Sequence, residues 1–319
     1  MKIKEKPEDF IVMEDIWLDL GSGDYAYFLL KKKNWNTLSV IKEISKRTDI
    51  PITSISYAGS KDKNALTEQY ISVRKSDREK VERIRIREVW LEFIGYSPFP
   101  IKMGDLKGNR FKIIVRDIKG IKKVGTCANY FDEQRFSMGN IDIGKMLVKR
   151  EFKEICAKLE LNVVKNNYIN AIRDMGIRKV QFYLHSYDSY LWNNVLSRYL
   201  MNFDHFNVKY DYGYFVFLKK KINNFDIPLI KPNTRFNNKD IEKIYDSVLN
   251  KEGVSKEEMY IKEIPEINTR GTSRPAFANV SWKSLKFNKA DNKAEVEFFI
   301  PKGSYATIVL KKCVRMYKL

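Results

Sequence analysis

Ser56-Tyr57-Ala58-Gly59-Ser60-Lys61-Asp62-Lys63-Asn64-Ala65-Leu66-Thr67-Glu68-Gln69 is the stretch on which the reading of this chain turns. Small and polar residues sit between two strand-like segments, Ile52, Ile55 and Tyr57 before and Tyr70, Ile71 and Val73 after. A single carboxylate, Asp62, stands between two lysines. Gly59 is expected to allow a tight bend or a close backbone approach. An acid held by lysines on a loop between strands suits a nucleophile that works on a polyanion. An ordinary solvated turn has the same composition, so the loop alone leaves both readings open.

Working outward, residues 9–16 read as a strand, Gly21-Ser22-Gly23-Asp24 as a turn and Tyr25 to Leu30 as the next strand. The Gly21-x-Gly23-x-x-Ala26 spacing superficially matches a dinucleotide fingerprint, but a β-like aromatic run follows it where a helix is required. Thr37 is expected to cap a helix with the apolar face Leu38, Val40, Ile41 and Ile44. Ser76-Asp77-Arg78-Glu79 has capping-box spacing and predicts a short helix. Val89 to Ile94 and Arg110 to Val115 predict strands, with a helix containing Ile121 and Val124 after them. Residues 143–160, 180–200 and 239–250 carry helical periodicity, the second being the longest. Strand texture returns at Arg274 and runs through Ala278–Phe287 and Ala294–Ile300, and a helix from Ala306 follows. The order β-rich, helical, β-rich predicts an α+β fold in which a second domain interrupts the first.

The charge narrows the class of partner. Fifty-nine basic residues against 40 acidic ones leave a formal charge of +19, spread over the whole chain. An excess of this size favours an extended polyanion, nucleic acid first; a lysine-rich proteome inflates the charge in the same direction. Cys127, Cys156 and Cys313 are far apart, and with only His185 and His205 they form no recognisable metal site. Sparse cysteines, the lack of a signal peptide and the shortness of the apolar runs predict a cytoplasmic protein with no membrane association.

Five motifs then occur in order: Lys4-x-x-Pro7-Glu8-Asp9-Phe10-x-Val12-x-Glu14; Tyr57-Ala58-Gly59-x-Lys61-Asp62-Lys63-x-Ala65-x-Thr67-x-Gln69; Gly108-Asn109-Arg110-Phe111; Asn129-Tyr130-Phe131-x-x-Gln134-Arg135-Phe136; and Pro301-x-Gly303-Ser304-Tyr305-Ala306-Thr307. Together they resemble the TruD family of tRNA pseudouridine synthases, and the lysine-rich composition is compatible with an archaeal member. The resemblance implies a catalytic domain on a mixed, largely antiparallel sheet (residues 1–136 plus 277–319), interrupted by an inserted α/β TRUD domain (residues 137–276). It implies RNA in the cleft between them, and conversion of uridine at position 13 of tRNA into its C-glycoside isomer. No cofactor, no metal and no obligatory protein partner are implied.

Breaking the N1–C1′ bond and rejoining uracil through C5 calls for an ionised acid near the ribose, with a positive neighbour, either to attack C1′ or to remove the C2′ proton. By resemblance Asp62 is the catalytic carboxylate and Lys4 its basic partner. Lys61 and Lys63 are expected on RNA phosphates, which position without specifying. Phe111 is the expected stacking face for a flipped uridine. Asn109 is expected to bond the ribose or to order the Asp62 loop. Phe131 and Arg135 are expected as scaffold, with Arg135 a candidate pair for the protein's own acids, and Pro301–Thr307 as support beneath the sheet. Ser60 and Ser137 depart from the family's usual threonine and glycine; the second leaves the bend into the inserted domain open. Two other function classes remain beside this one: a non-catalytic RNA-binding or tRNA-folding protein, and a cofactor-dependent modifier, for which no credible nucleotide loop is present.

Overall fold

The computed structural model describes residues 1–136, 139–269 and 271–317, so Ser137 lies outside the described residues. The elements run, in chain order, β1 (Phe10–Ile16), β2 (Tyr25–Lys33), α1 (Thr37–Thr48), β3 (Ser56–Tyr57), β4 (Leu66–Arg74), α2 (Arg78–Arg83), β5 (Val89–Ser97), β6 (Leu106–Val115), β7 (Thr126–Ala128), α3 (Asn140–Val148), α4 (Phe152–Lys158), α5 (Tyr168–Asp174), α6 (Ile177–Leu200), β8 (His205–Tyr210), β9 (Gly213–Leu218), β10 (Asp226–Pro228), α7 (Lys239–Glu252), β11 (Ser273–Pro275), β12 (Phe277–Asn279), β13 (Ser281–Asn288), β14 (Lys293–Pro301) and α8 (Ala306–Met316). The chain divides into two compact units. The first holds Met1–Gly125, Asn279–Ala306 and the residues from Cys313 on; the second holds Thr126–Ala278 and Thr307–Lys312.

The first unit is built on one sheet in the order β13-β14-β6-β1-β4-β2-β5, with β3 added to β4. Only β1 and β4 run parallel; the other pairs along that order are antiparallel. The sheet is therefore mixed and largely antiparallel, and the fold is α+β. Strand alternation explains its core. Ala26, Phe28 and Leu30 of β2 point to one face, all with 0% exposure, and pack with Val40, Ile41 and Ile44 of α1. Each of the larger ones, Phe28, Leu30, Val40, Ile41 and Ile44, contributes about 1.5–3 kcal/mol. The same alternation drives Lys32 inward behind Leu30, also with 0% exposure. Gly108 lies where a Cβ would collide with the Ile300 carbonyl and the Phe299 ring, so the close pairing of β6 with β14 requires glycine there.

In the second unit α6 is the central element, burying Leu184, Tyr187, Leu191, Trp192, Val195 and Leu196. The Asn129-Tyr130-Phe131 motif belongs to this unit. Asn193 of α6 accepts from the Phe131 N–H (3.0 Å) and donates to the Phe131 carbonyl (2.9 Å). The Tyr130 hydroxyl donates to the Val216 carbonyl and accepts from the Val216 N–H and from Ser197. This packing puts the boundary between compact units at Gly125, ahead of the expected 136/137 division.

Several local expectations are corrected. Residues 117–125 form no helix, because their polar groups serve β13 and the segments on either side of it: the Ile118 N–H bonds the Asn292 carbonyl, the Gly125 carbonyl accepts from the Val280 N–H and the Val124 carbonyl from the Trp282 indole. The 143–160 helix is two helices, parted at Arg150, which takes a φ of 60°. Asn36, not Thr37, caps α1, accepting from the Ser39 N–H at 2.7 Å. Helix α2 forms without the predicted capping box. The β8–β9 hairpin was not foreseen; it closes at Tyr210 and Gly213.

Candidate active site

Strands β1, β6 and β14 present one shared face. Glu14 lies opposite Asn109 and Val12 opposite Phe111 across β1 and β6; Asn109 lies opposite Ile300 and Phe111 opposite Phe298 across β6 and β14. Because alternate residues share a face, Asn109 and Phe111 point the same way. Phe111 sits between the edge of Phe10 (5.8 Å between centroids) and the stacked ring of Phe298 (5.7 Å). It is 7% exposed, so other rings already cover most of the expected stacking face. Asn109 Oδ1 is buried with no hydrogen-bond partner among the described residues.

The loop between β3 and β4 carries Asp62 to this region. Lys4, in the left-handed region at φ 61°, reaches across 58 residues of sequence and places Nζ 2.7 Å from Asp62 Oδ2. Its ammonium also lies 4.2 Å above the Phe10 ring. Lys4, Asp62, Phe10 and Phe111 thus form one connected chain of contacts. The Lys4 side chain is 13% exposed and that of Asp62 42%, so the carboxylate remains open to a ligand while its partner is nearly enclosed.

The two lysines beside Asp62 differ. Lys63 is exposed. Lys61 points inward, and its ammonium pairs with Glu14, the two side chains being 4% and 0% exposed. The other Glu14 oxygen accepts from the Tyr70 N–H at 3.0 Å. An ammonium enclosed in this way cannot reach an RNA phosphate, so for Lys61 the expected phosphate contact is replaced by an internal ion pair. Gly59 is also not the bend it was expected to be. A Cβ there would meet Leu106 and Lys61 at ordinary van der Waals distance.

Gln69, from the same motif, holds the loop together with two residues the sequence reading did not assign to it, Thr37 and Lys32. Thr37 Oγ1 accepts from the Lys61 N–H (2.9 Å) and donates to Gln69 Oε1 (2.7 Å), and Gln69 Nε2 donates to the Gly59 carbonyl (3.1 Å). Lys32 Nζ donates to the carbonyls of Trp35 (2.6 Å), Asp62 (2.9 Å) and Lys61 (3.4 Å). Burial is the main cause that lowers its pKa to about 8; the Asp62 charge opposes the shift and that of Lys61 adds to it. The signal for Lys32 was the strand alternation that turns the middle lysine of Lys31-Lys32-Lys33 inward.

In the second unit, Arg135 Nε donates to Ser189 Oγ at 2.9 Å, its guanidinium lies over Phe131 and Phe182, and its charge opposes the burial-driven rise in the pKa of Asp188. Thr307 Oγ1 donates to Asp132 at 2.7 Å, so the C-terminal motif engages that acid as well as ending the sheet. Cys127, Cys156 and Cys313 are buried. No helix among the described residues is long and apolar enough to cross a membrane.

Comparison with known proteins supplies the family. The family model for tRNA pseudouridine synthase D (TruD) matches residues 1–160 and 202–313. The tRNA pseudouridine synthase D of Aquifex aeolicus is 30% identical over 377 aligned positions, covering 98% of this chain and 97% of that protein. The probable tRNA pseudouridine synthase D 2 of Methanocaldococcus jannaschii is 30% identical, covering 98% and 91%. A crystal structure of a putative tRNA pseudouridine synthase D from Methanosarcina mazei shares the fold, with a TM-score of 0.69 over 100% of this chain and 94% of that one at 24% identity.

Proposed function

The chain belongs to the TruD family of tRNA pseudouridine synthases, and we propose that it isomerises uridine to pseudouridine at position 13 of tRNA, with Asp62 as the catalytic carboxylate and no cofactor. The observation that carries this reading is the Lys4–Asp62 pair at 2.7 Å, with Asp62 the more open of the two side chains. The reaction is an isomerisation. The N1–C1′ bond breaks and a C5–C1′ bond forms, C5 gives up its proton and N1 gains one, so atoms and electrons balance and no redox partner or group donor is consumed.

Asp62 meets the ribose, either attacking C1′ or removing the C2′ proton. Both routes need a carboxylate held in one orientation, and the Lys4 ammonium, itself seated on Phe10, supplies that hold. Phe111, wedged between Phe10 and Phe298, forms a rigid aromatic floor for the extruded base. The unpartnered Asn109 Oδ1 accepts a ribose hydroxyl, which would satisfy a buried acceptor that is otherwise costly. Lys63 meets an RNA phosphate. The first compact unit is the catalytic domain and the second the inserted TRUD domain.

The test is to incubate the protein with unmodified tRNA and map pseudouridine chemically, with Asp62→Asn alongside. Product at position 13 from the wild type alone is expected. Equal product from both proteins sinks the assignment of Asp62, and full rescue by Asp62→Asn in cells lacking the protein supports a tRNA-folding role in its place.

A further inference from the structure

Three consecutive lysines, Lys31, Lys32 and Lys33, close β2. Their alternation separates their roles. Lys31 pairs with Glu68 at 3.3 Å and Lys33 with Glu8 at 2.5 Å, both on partly exposed ground. Lys32 faces the interior with 0% exposure, and its three hydrogen-bond acceptors are backbone carbonyls. An ammonium has three donors, so this set uses its full capacity. A buried cation is costly, and an apolar residue would continue the Ala26, Phe28, Leu30 face at lower cost. What lysine supplies here is a bridge between two segments: the turn before α1, through Trp35, and the loop that bears Asp62.

Resting on the function proposed above, we infer that Lys32 is a positioning residue for the isomerisation, whose ammonium form locks the Lys61 and Asp62 carbonyls and so directs the Asp62 side chain at Lys4. Thr37, on the same side of the loop, takes the Lys61 N–H. The connection from β2 to α1 therefore grips both the donor and the acceptor groups of the peptide units leading into Asp62. Removing the proton from Lys32 leaves two donors for three carbonyls and turns a lone pair toward one of them.

The charged groups that bear on Lys32 are Asp62 and Lys61, the first favouring its proton and the second opposing it; burial dominates and sets the titration near pH 8. The sign follows. Between about pH 8 and the ordinary lysine value the unfolded chain holds the proton that the native chain has lost, so the Lys32 contribution makes the fold more stable as pH rises. Catalysis moves the opposite way, because the carbonyl clamp weakens. A residue that merely supported the fold would move activity and stability together.

The experiment measures single-turnover pseudouridine formation on unmodified tRNA at pH values on both sides of 8, together with tRNA affinity, thermal midpoint and hydrogen exchange of the peptide spanning Lys61–Ala65. For the wild type, a fall of about tenfold on the alkaline side is expected, without a lower thermal midpoint. Lys32→Met is expected to lose on the order of 100-fold in rate at neutral pH, with tRNA affinity within about twofold, a flat alkaline limb and faster exchange in the loop peptide. Lys32→Arg, which stays charged throughout, covers the case in which the methionine variant does not fold. It is expected to remove the alkaline fall. A wild-type rate in Lys32→Met, or an unchanged alkaline limb in Lys32→Arg, overturns the inference. Should the wild type make no pseudouridine, the proposed function fails, and loop exchange in Lys32→Met still decides whether Lys32 holds the loop.

Discussion

Two lysine–carboxylate pairs hold opposite sides of the loop that bears Asp62. On the outer side Lys4 and Asp62 meet at 2.7 Å with 13% and 42% of their side chains exposed; on the inner side Lys61 and Glu14 meet with 4% and 0%. The chemical groups are the same in each and the surroundings are not. Asp62 of the outer pair is open to water, so its charge is available to a ligand. The inner pair is shut in, and its charges are spent on each other and on the Tyr70 N–H. Adjacent positions in a Lys-Asp-Lys run thus divide into one structural residue and two that face outward. Composition alone cannot make that division.

The comparison predicts that removing charge from the outer pair costs activity, while removing it from the inner pair costs stability. The largest effect is expected for Asp62→Asn, with a loss of about 100- to 10,000-fold in the rate of pseudouridine formation and little change in the denaturation midpoint. A comparable loss of stability would break the distinction between the sides. Next is Glu14→Gln. It leaves the Lys61 ammonium buried without its counter-charge, and about 3–5 kcal/mol of folding stability is expected to go, read from urea denaturation. A cost under about 1 kcal/mol would place the inner pair with ordinary surface pairs.

Lys4→Met tests the remaining outer member. The pair is partly exposed, so less than about 1 kcal/mol of stability is expected to be lost. The Lys4 ammonium also sits 4.2 Å over Phe10, which packs edge-on against Phe111. Its removal is expected to lower the single-turnover rate by about tenfold or more through a less well-oriented Asp62, with tRNA affinity nearly unchanged. An affinity loss that matches the rate loss would make Lys4 an RNA contact instead.

How far the sequence carries this picture depends on the range of the interaction. The β-like run from Tyr25 to Leu30 and the apolar face Val40, Ile41, Ile44 are local, and the strand and the helix were legible from them. The ordered motifs brought Lys4, Asp62, Asn109 and Phe111 into one expected site, and three of these, Lys4, Asp62 and Phe111, are joined through Phe10. The loop's supports were not legible. Thr37 has the composition of a helix cap, and its hydroxyl instead serves Lys61 and Gln69, 24 and 32 residues away. Lys32 reads as one of a run of surface lysines unless the strand is continued past Leu30, and its acceptors, Lys61 and Asp62, lie 29 and 30 residues away. The stretch around Ile121 and Val124 has helical spacing, yet its backbone groups are claimed by β13 and its neighbours, a tertiary competition that local periodicity does not register.

The smallest expected effect separates the two lysines that flank Asp62. Lys63 is exposed and Lys61 is enclosed with Glu14. If Lys63 alone contacts phosphate, Lys63→Ala releases one fewer counterion on binding. The slope of log affinity against log salt then becomes shallower by about 0.7–0.9, while the denaturation midpoint and the single-turnover rate at saturating tRNA stay near wild type. Lys61→Met is expected to leave the salt slope of the folded fraction where it was, because a buried ammonium displaces no counterion from RNA. Measuring both slopes under one buffer series makes the test internal. A shallower slope for Lys61→Met at full folding would mean that the inner pair opens to bind RNA, and the division between the two sides of the loop would then be a property of the unbound protein only.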